Sequence, residues 1–251
     1  MNRSADATRR PYKKPPIIEA VIAMHFAERV DQYSIDKFAR GRKALFSFRE
    51  DVIEVQASFD LQSQKQSSGL KKIGYKLSNS DHTRVIMITP NQMSVSHLAP
   101  YPGWDAFFKE ARAHWKELVK VVKHQSLARV STRYINRIDI PVGVNGRVEL
   151  HKYLTAGLSL PQYGQSLALQ NFGVNCVLLD PGNQYTHVLQ LATVPSPLID
   201  HLSVTIDIDV VTAAPLPTND DDLWALINSL QTYKNNLFEA CITQETRDLF
   251  K

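Results

Sequence analysis

Three arginines in one extended segment are the residues best placed to do chemistry in this 251-residue chain. The stretch LARVSTRYINRIDIP, 127–141, alternates as a strand does. Ala128, Val130, Thr132, Tyr134, Ile138 and Ile140 fall on one side, and Arg129, Ser131, Arg133, Ile135, Arg137 and Asp139 on the other. Four residues of strand span ~13 Å, so the guanidinium groups form a spaced row with Ser131 among them. Such a row grips phosphates or a partner's carboxylates through bidentate hydrogen bonds. A later strand offers a rival use. There Val204, Ile206, Ile208 and Val210 alternate with Thr205, Asp207 and Asp209. If the two strands are neighbours, arginines and aspartates meet across the sheet and hold each other. Residues 109–137 carry eight basic and two acidic groups, whereas 200–222 carry six aspartates and no Lys or Arg. That segregation favours internal pairing or head-to-tail self-association.

A second basic group lies at the N-terminus. Of 29 Lys and Arg and 25 Asp and Glu, residues 1–16 hold Arg3, Arg9, Arg10, Lys13 and Lys14 against Asp6, which leaves 24 of each sign in the rest. The net charge of +4 therefore belongs to a polar arm, expected to be disordered, and the body is neutral. Arg9, Arg10, Lys13 and Lys14 can contact phosphate or an acidic surface by charge alone; a solubilising tail needs no partner.

Catalytic patterns are absent from the sequence. Eight histidines show no H-E-x-x-H spacing, and no C-x-x-C pair, Gly-rich phosphate loop or G-x-S-x-G elbow occurs. No metal or cofactor is expected. Asp220, Asp221 and Asp222 are consecutive, so they point different ways, and carboxylates in a first helical turn suit the helix dipole. Glu19 and His25 share a strand face but stand ~20 Å apart. Cys176 and Cys241 read as small buried hydrophobes. No apolar run approaches the ~18 residues of a membrane span. The start of the chain lacks the apolar core of a secretory signal, so the cytoplasm is the expected compartment.

The elements that must position these residues repeat in kind. Ile17–Phe26 is a central strand. Asp31 or Ser34 caps a helix running to Phe46. Val52–Leu61 is a strand with Ile53, Val55, Ala57, Phe59 and Leu61 inward, 62–69 is a polar loop, and strands follow around Ile73–Leu77, at Arg84–Thr89 and at Gln92–Leu98. Trp104, Phe107, Phe108, Ala111, Trp115, Leu118, Val119 and Val122 then trace one helical face. After 127–141 come a short helix near 149–154, strands near 167–179, 186–194 and 202–212, with a bulge at Gly173, and a last helix opened by Asn219 and the three aspartates. The order is β-α-β-β-β-α twice, over 17–125 and 126–251, after the arm 1–16. The expected fold is α+β: two similar halves, a mainly antiparallel sheet, and helices on one face.

PPIIEAV (15–21), RYINRIDIP (133–141) and LFEACITQETRDLF (237–250) resemble a sporadically distributed family of prokaryotic proteins of uncharacterised function. That resemblance covers nearly the whole chain. It implies a bacterial or archaeal accessory protein, of mobile-element or defence neighbourhoods, and no catalytic residues. The element order resembles the duplicated TATA-binding-protein-like saddle, a likeness of fold that does not transfer DNA binding. A saddle that bends DNA needs a basic body and wedge aromatics; here the body is neutral, and Phe107, Trp115 and Trp224 sit on helix core stripes. The leading expectation is a non-catalytic binding or adaptor protein that holds a protein partner on the open sheet face through Arg129, Ser131, Arg133 and Arg137. Self-association into a homo-oligomer is a further option. The alternatives are a nucleic-acid-binding protein using the arm and the arginine strand, and a hydrolase or nucleotide-modifying enzyme whose site is assembled from distant residues.

Overall fold

A computed structural model describes residues 12–60, 65–123, 126–144, 146–157, 170–182, 185–213 and 215–251; for 56–60, 65–68 and 213 it describes only the backbone. The strands are β1 (Ile17–Phe26), β2 (Phe48–Asp60), β3 (Lys65–Ser78), β4 (Arg84–Thr89), β5 (Gln92–Leu98), β6 (Leu127–Pro141), β7 (Gly173–Asp180), β8 (Tyr185–Val194) and β9 (His201–Ala213). The helices are α1 (Gln32–Gly41), α2 (Trp104–Val122), α3 (Leu150–Tyr153), α4 (Asp220–Cys241) and α5 (Gln244–Asp248). All nine strands form one antiparallel sheet in the order β2-β3-β4-β5-β1-β6-β9-β8-β7. The expected α+β class is what the chain adopts. β1 and β6 are central neighbours, each flanked on its outer side by the last strand of its own segment, β5 or β9.

Alternation decides which side of the sheet is covered. Ala20, Ile22 and Met24 of β1, Val130, Tyr134 and Ile138 of β6, and Val204, Ile206, Ile208 and Val210 of β9 are buried together. Against them pack Phe107, Ala111, Trp115 and Leu118 of α2, Ile35 and Phe38 of α1, and Trp224, Ile227 and Leu230 of α4. The two long helices meet through Trp104 Nε1, which donates to Asn228 Oδ1 at 2.8 Å, and through an edge-on contact of Phe108 with Trp224, centroids 5.1 Å apart. Trp224 is the fifth residue of α4, whereas Trp104 opens α2. Helix α2 is also tied down by a partly buried carboxylate. Glu110 lies 3.2 Å from His97 Nε2 on β5 and 3.5 Å from both His114 Nε2 and Arg84 Nη1. Burial alone raises its pKa, but hydrogen bonds from His114 and His97 and the field of Arg84 more than offset this and hold it at about 2.

Several expectations need correcting. Helix α1 stops at Gly41, short of Phe46; Asp31 is its cap and accepts from Ser34 N at 2.9 Å. The supposed loop at 62–69 is in part strand, since β3 begins at Lys65; residues 62–64 lie outside the described residues. Ile53 and Val55 do not point into a core and are 52% and 69% exposed. Only Tyr75–Ser78 of β3 pair with β4, so beyond them β2 and β3 run on as a two-stranded ribbon. No further strand or helix flanks that ribbon among the described residues, and alternation alone buries nothing. The side chains of Ala57 and Phe59, and all of Leu61, lie outside the description. A register shift falls opposite Val52 and Ile53, leaving Ile73 as the extra residue; Gly173 makes no bulge but opens β7. Residues 170–172 are not strand, and 167–169 lie outside the described residues.

The N-terminal arm is anchored from Tyr12 onward. Tyr12 stacks edge-on against Phe250, centroids 5.1 Å apart, and its hydroxyl donates to Glu239 Oε1 at 2.5 Å. Lys14 N donates to Phe250 O, and Arg137 N donates to Pro16 O. Arg9 and Arg10 lie outside the described residues, while the side chains of Lys13 and Lys14 are exposed.

Candidate functional site

The sheet face opposite the helices is where the arginine row projects. Among the described residues no helix covers this face. Its centre is built by three neighbouring strands in fixed register. On β1 and β6, His25 stands opposite Arg129, Ala23 opposite Ser131, and Val21 opposite Arg133. On β6 and β9, Arg133 stands opposite Asp209 and Ile135 opposite Asp207. Alternation puts these side chains on one face because their flanking neighbours, Val130, Thr132 and Tyr134, are buried on the other.

Each arginine is engaged within the fold. Arg133 crosses diagonally to Asp207, with Nε–Oδ1 at 2.9 Å and Nη2–Oδ2 at 2.5 Å, a bidentate pair. The hydrogen bonds to Asp207 raise the Arg133 pKa still further, with the field of Glu19 acting the same way. Arg137 donates to Asp139 Oδ1 at 3.1 Å, and Ser203 Oγ donates to the same oxygen. Arg129 Nη2 donates to His25 Nε2 at 2.8 Å. Burial and then the nearby Arg129 charge lower the His25 pKa, which keeps the imidazole neutral and able to accept. Three arginines thus share the centre with four carboxylates: Glu19, Asp139, Asp207 and Asp209.

Asp209 is the odd member. Burial raises its pKa, against a hydrogen bond from Ser131 and the field of Arg133, and its buried Oδ1 has no partner among the described residues. The four residues marked out in the sequence, Arg129, Ser131, Arg133 and Arg137, therefore sit together on one face. Their immediate contacts are His25, Asp209, Asp207 and Asp139. The sequence placed Glu19 and His25 on the same side but too far apart to act together; β6 lies between their reach and supplies each with an arginine neighbour.

The wider charge segregation also resolves inside the molecule. Arg112 of α2 binds Asp220 and Asp221 at the start of α4, with Nε–Oδ2 to Asp220 at 2.8 Å, and Lys116 reaches Asp220 at 3.4 Å. Asn219 caps α4, accepting from Asp222 N at 2.8 Å.

One part of the open face had no sequence signal. Val177 and Leu179 of the edge strand β7 are 67% and 69% exposed, and they stand opposite Val188 and Thr186 of β8. Val188 in turn stands beside Asp209, and Thr186 beside Val211. An apolar patch thus adjoins the paired charges, and β7 leaves its outer edge without a strand partner among the described residues.

Neither a protein-family model nor a curated protein matches the chain. Among the described residues no helix is long and apolar enough to cross a membrane.

Proposed function

We propose that this is a non-catalytic binding or adaptor protein whose open sheet face holds a protein partner. The observation that carries the reading is a nine-stranded sheet with helices on one side and, among the described residues, none on the other. That face joins paired charges of both signs to exposed Val177 and Leu179. Apolar surface beside polar groups already held in place is the composition of a protein interface. Phosphate binding instead calls for unpaired cations, and here three arginines face four carboxylates. The resemblance of the three segments to sporadic prokaryotic proteins supports an accessory role, in mobile-element or defence neighbourhoods.

The test exploits the Arg133–Asp207 pair. Arg133→Glu alone places three acidic groups together and should destabilise the fold. The exchange Arg133→Glu with Asp207→Arg keeps an ion pair but reverses its direction on the face. The exchanged protein should recover wild-type stability while losing the partner. Full partner binding by the folded exchange variant would show the pair to be structural only. Binding that falls steeply with salt and disappears on deleting residues 1–14 would move the reading to nucleic acid.

A further inference from the structure

On the helix side of the sheet, remote from the open face, lies a cavity of about 510 Å³ bounded by the N-terminal segment, β6, α2 and α4. A volume of this size is usual for small-molecule sites. Lys234 of α4 lines it and is only 3% exposed. Among the described residues its ammonium makes no hydrogen bond and no ion pair. It stands over the ring of Tyr134, whose centroid is 3.7 Å from Nζ. Burial pushes the Lys234 pKa down to about 7, with Glu239 opposing. An aromatic face recovers only part of the cost of desolvating an ammonium. One turn earlier, Gln231 is also buried, and its Oε1 has no partner among the described residues. The Tyr134 hydroxyl is 2.9 Å from that of Tyr101.

The N-terminus of α2 opens onto the same cavity through Gly103 and Trp104. Its cap, Gly103 at φ 95°, supplies no side-chain hydrogen bond. Free backbone N–H groups at a helix start attract anions. Among the described residues the cavity therefore combines a buried lysine without an ion pair, a helix start without a side-chain cap, an acceptor without a donor, and aromatic walls, with Asp105 of the first turn of α2 also in its lining. Glu239 also lines the cavity, but its carboxylate is occupied by Tyr12 and by Arg247 Nε at 2.9 Å.

We infer that the cavity binds a small organic oxyanion, a carboxylate or a phosphate ester with a flat apolar body. The oxyanion rests on Lys234 Nζ and the start of α2, the body lies among Tyr101, Trp104 and Tyr134, and a ligand N–H or O–H serves Gln231 Oε1. This site is independent of the sheet face and survives failure of the partner-binding reading.

The experiment uses the full chain with two probes, 4-hydroxybenzoate and phenyl phosphate. Thermal melts are run with and without each probe, and trinitrobenzenesulfonate labelling of Lys234 is read by mass spectrometry. At a probe concentration about 100-fold above its Kd, Tm should rise by roughly 5–10 °C and labelling of Lys234 should fall. Protection by only one probe tells a carboxylate site from a phosphate site. Lys234→Met, which keeps the buried stem without the charge, should abolish the rise. Should that variant not fold, Gln231→Leu should weaken probe binding about tenfold. The inference is overturned if neither probe at 20 mM raises Tm or protects Lys234, or if the folded variant responds as the wild type does.

Discussion

Replacing Glu110 by glutamine should destabilise the protein at neutral pH and do so far less in acid. The carboxylate sits between His97, His114 and Arg84, which join α2 to β5 and β4. Its pKa is held at about 2 against an ordinary 4.5. Each tenfold in proton affinity is ~1.36 kcal/mol, so the full effect of the ionised group is about 3 kcal/mol. Glutamine keeps a carbonyl acceptor, so the expected loss is about 1.5–3 kcal/mol. A lowered carboxylate pKa stabilises fully above the unfolded value of 4.5, and this is lost as pH falls through about 2. The difference between wild type and Glu110→Gln should hold from pH 7 to 5, fall to less than half by about pH 3, and vanish below pH 2. Urea melts of both proteins across that range give the number directly. A neutral-pH difference below about 0.5 kcal/mol, or one that stays flat down to pH 3, would mean that the Glu110 charge does not hold α2 to the sheet.

Other substitutions probe the frame and the face. At Gly74 a Cβ would stand 2.0 Å from Ile88 O, a backbone atom of the neighbouring strand. Gly74→Ala should therefore cost about 2 kcal/mol or more in a urea melt, and an unchanged midpoint would mean the β3–β4 approach is looser. The raised pKa of Asp209 penalises the folded state as pH rises above the ordinary 3.8. Asp209→Asn should accordingly be neutral or stabilising by up to about 1 kcal/mol at pH 7, with no gain at pH 3. A clear loss of stability at pH 7 would make the Asp209 charge a needed partner of Arg133.

Strong periodicity made the body of the fold legible. The stripe from Trp104 to Val122 is the whole of α2, and the Pro90-Asn91 turn separates β4 from β5. In the first case apolar bulk recurs at helical spacing for five turns, and in the second a turn residue interrupts two clean alternations. β2 shows the limit of the same signal. Its alternation is as regular as that of β1, yet Ile53 and Val55 are exposed because burial depends on what lies above a strand, and only four residues of β3 continue into β4. The arginine row was legible as a row because alternation is local. Its partners were not, because Asp207 is 74 positions from Arg133 and the pairing is diagonal. The Lys234 cavity gave no warning at all. A lysine in an amphipathic helix reads as a solvated residue, and only the packing of Tyr134 and α2 around it makes it buried.

Site-specific photocrosslinking in cells of the native host asks whether a protein partner sits on the open sheet face. A benzoylphenylalanine at Val177 or Leu179 reports on the open face, and one at Lys120, on the helix side and well exposed, serves as the control. A discrete protein adduct is expected from the β7 positions and none from Lys120, with the adduct lost in the Arg133–Asp207 exchange. No protein adduct from the face, or the same adducts from both sides of the sheet, would contradict a partner on that face.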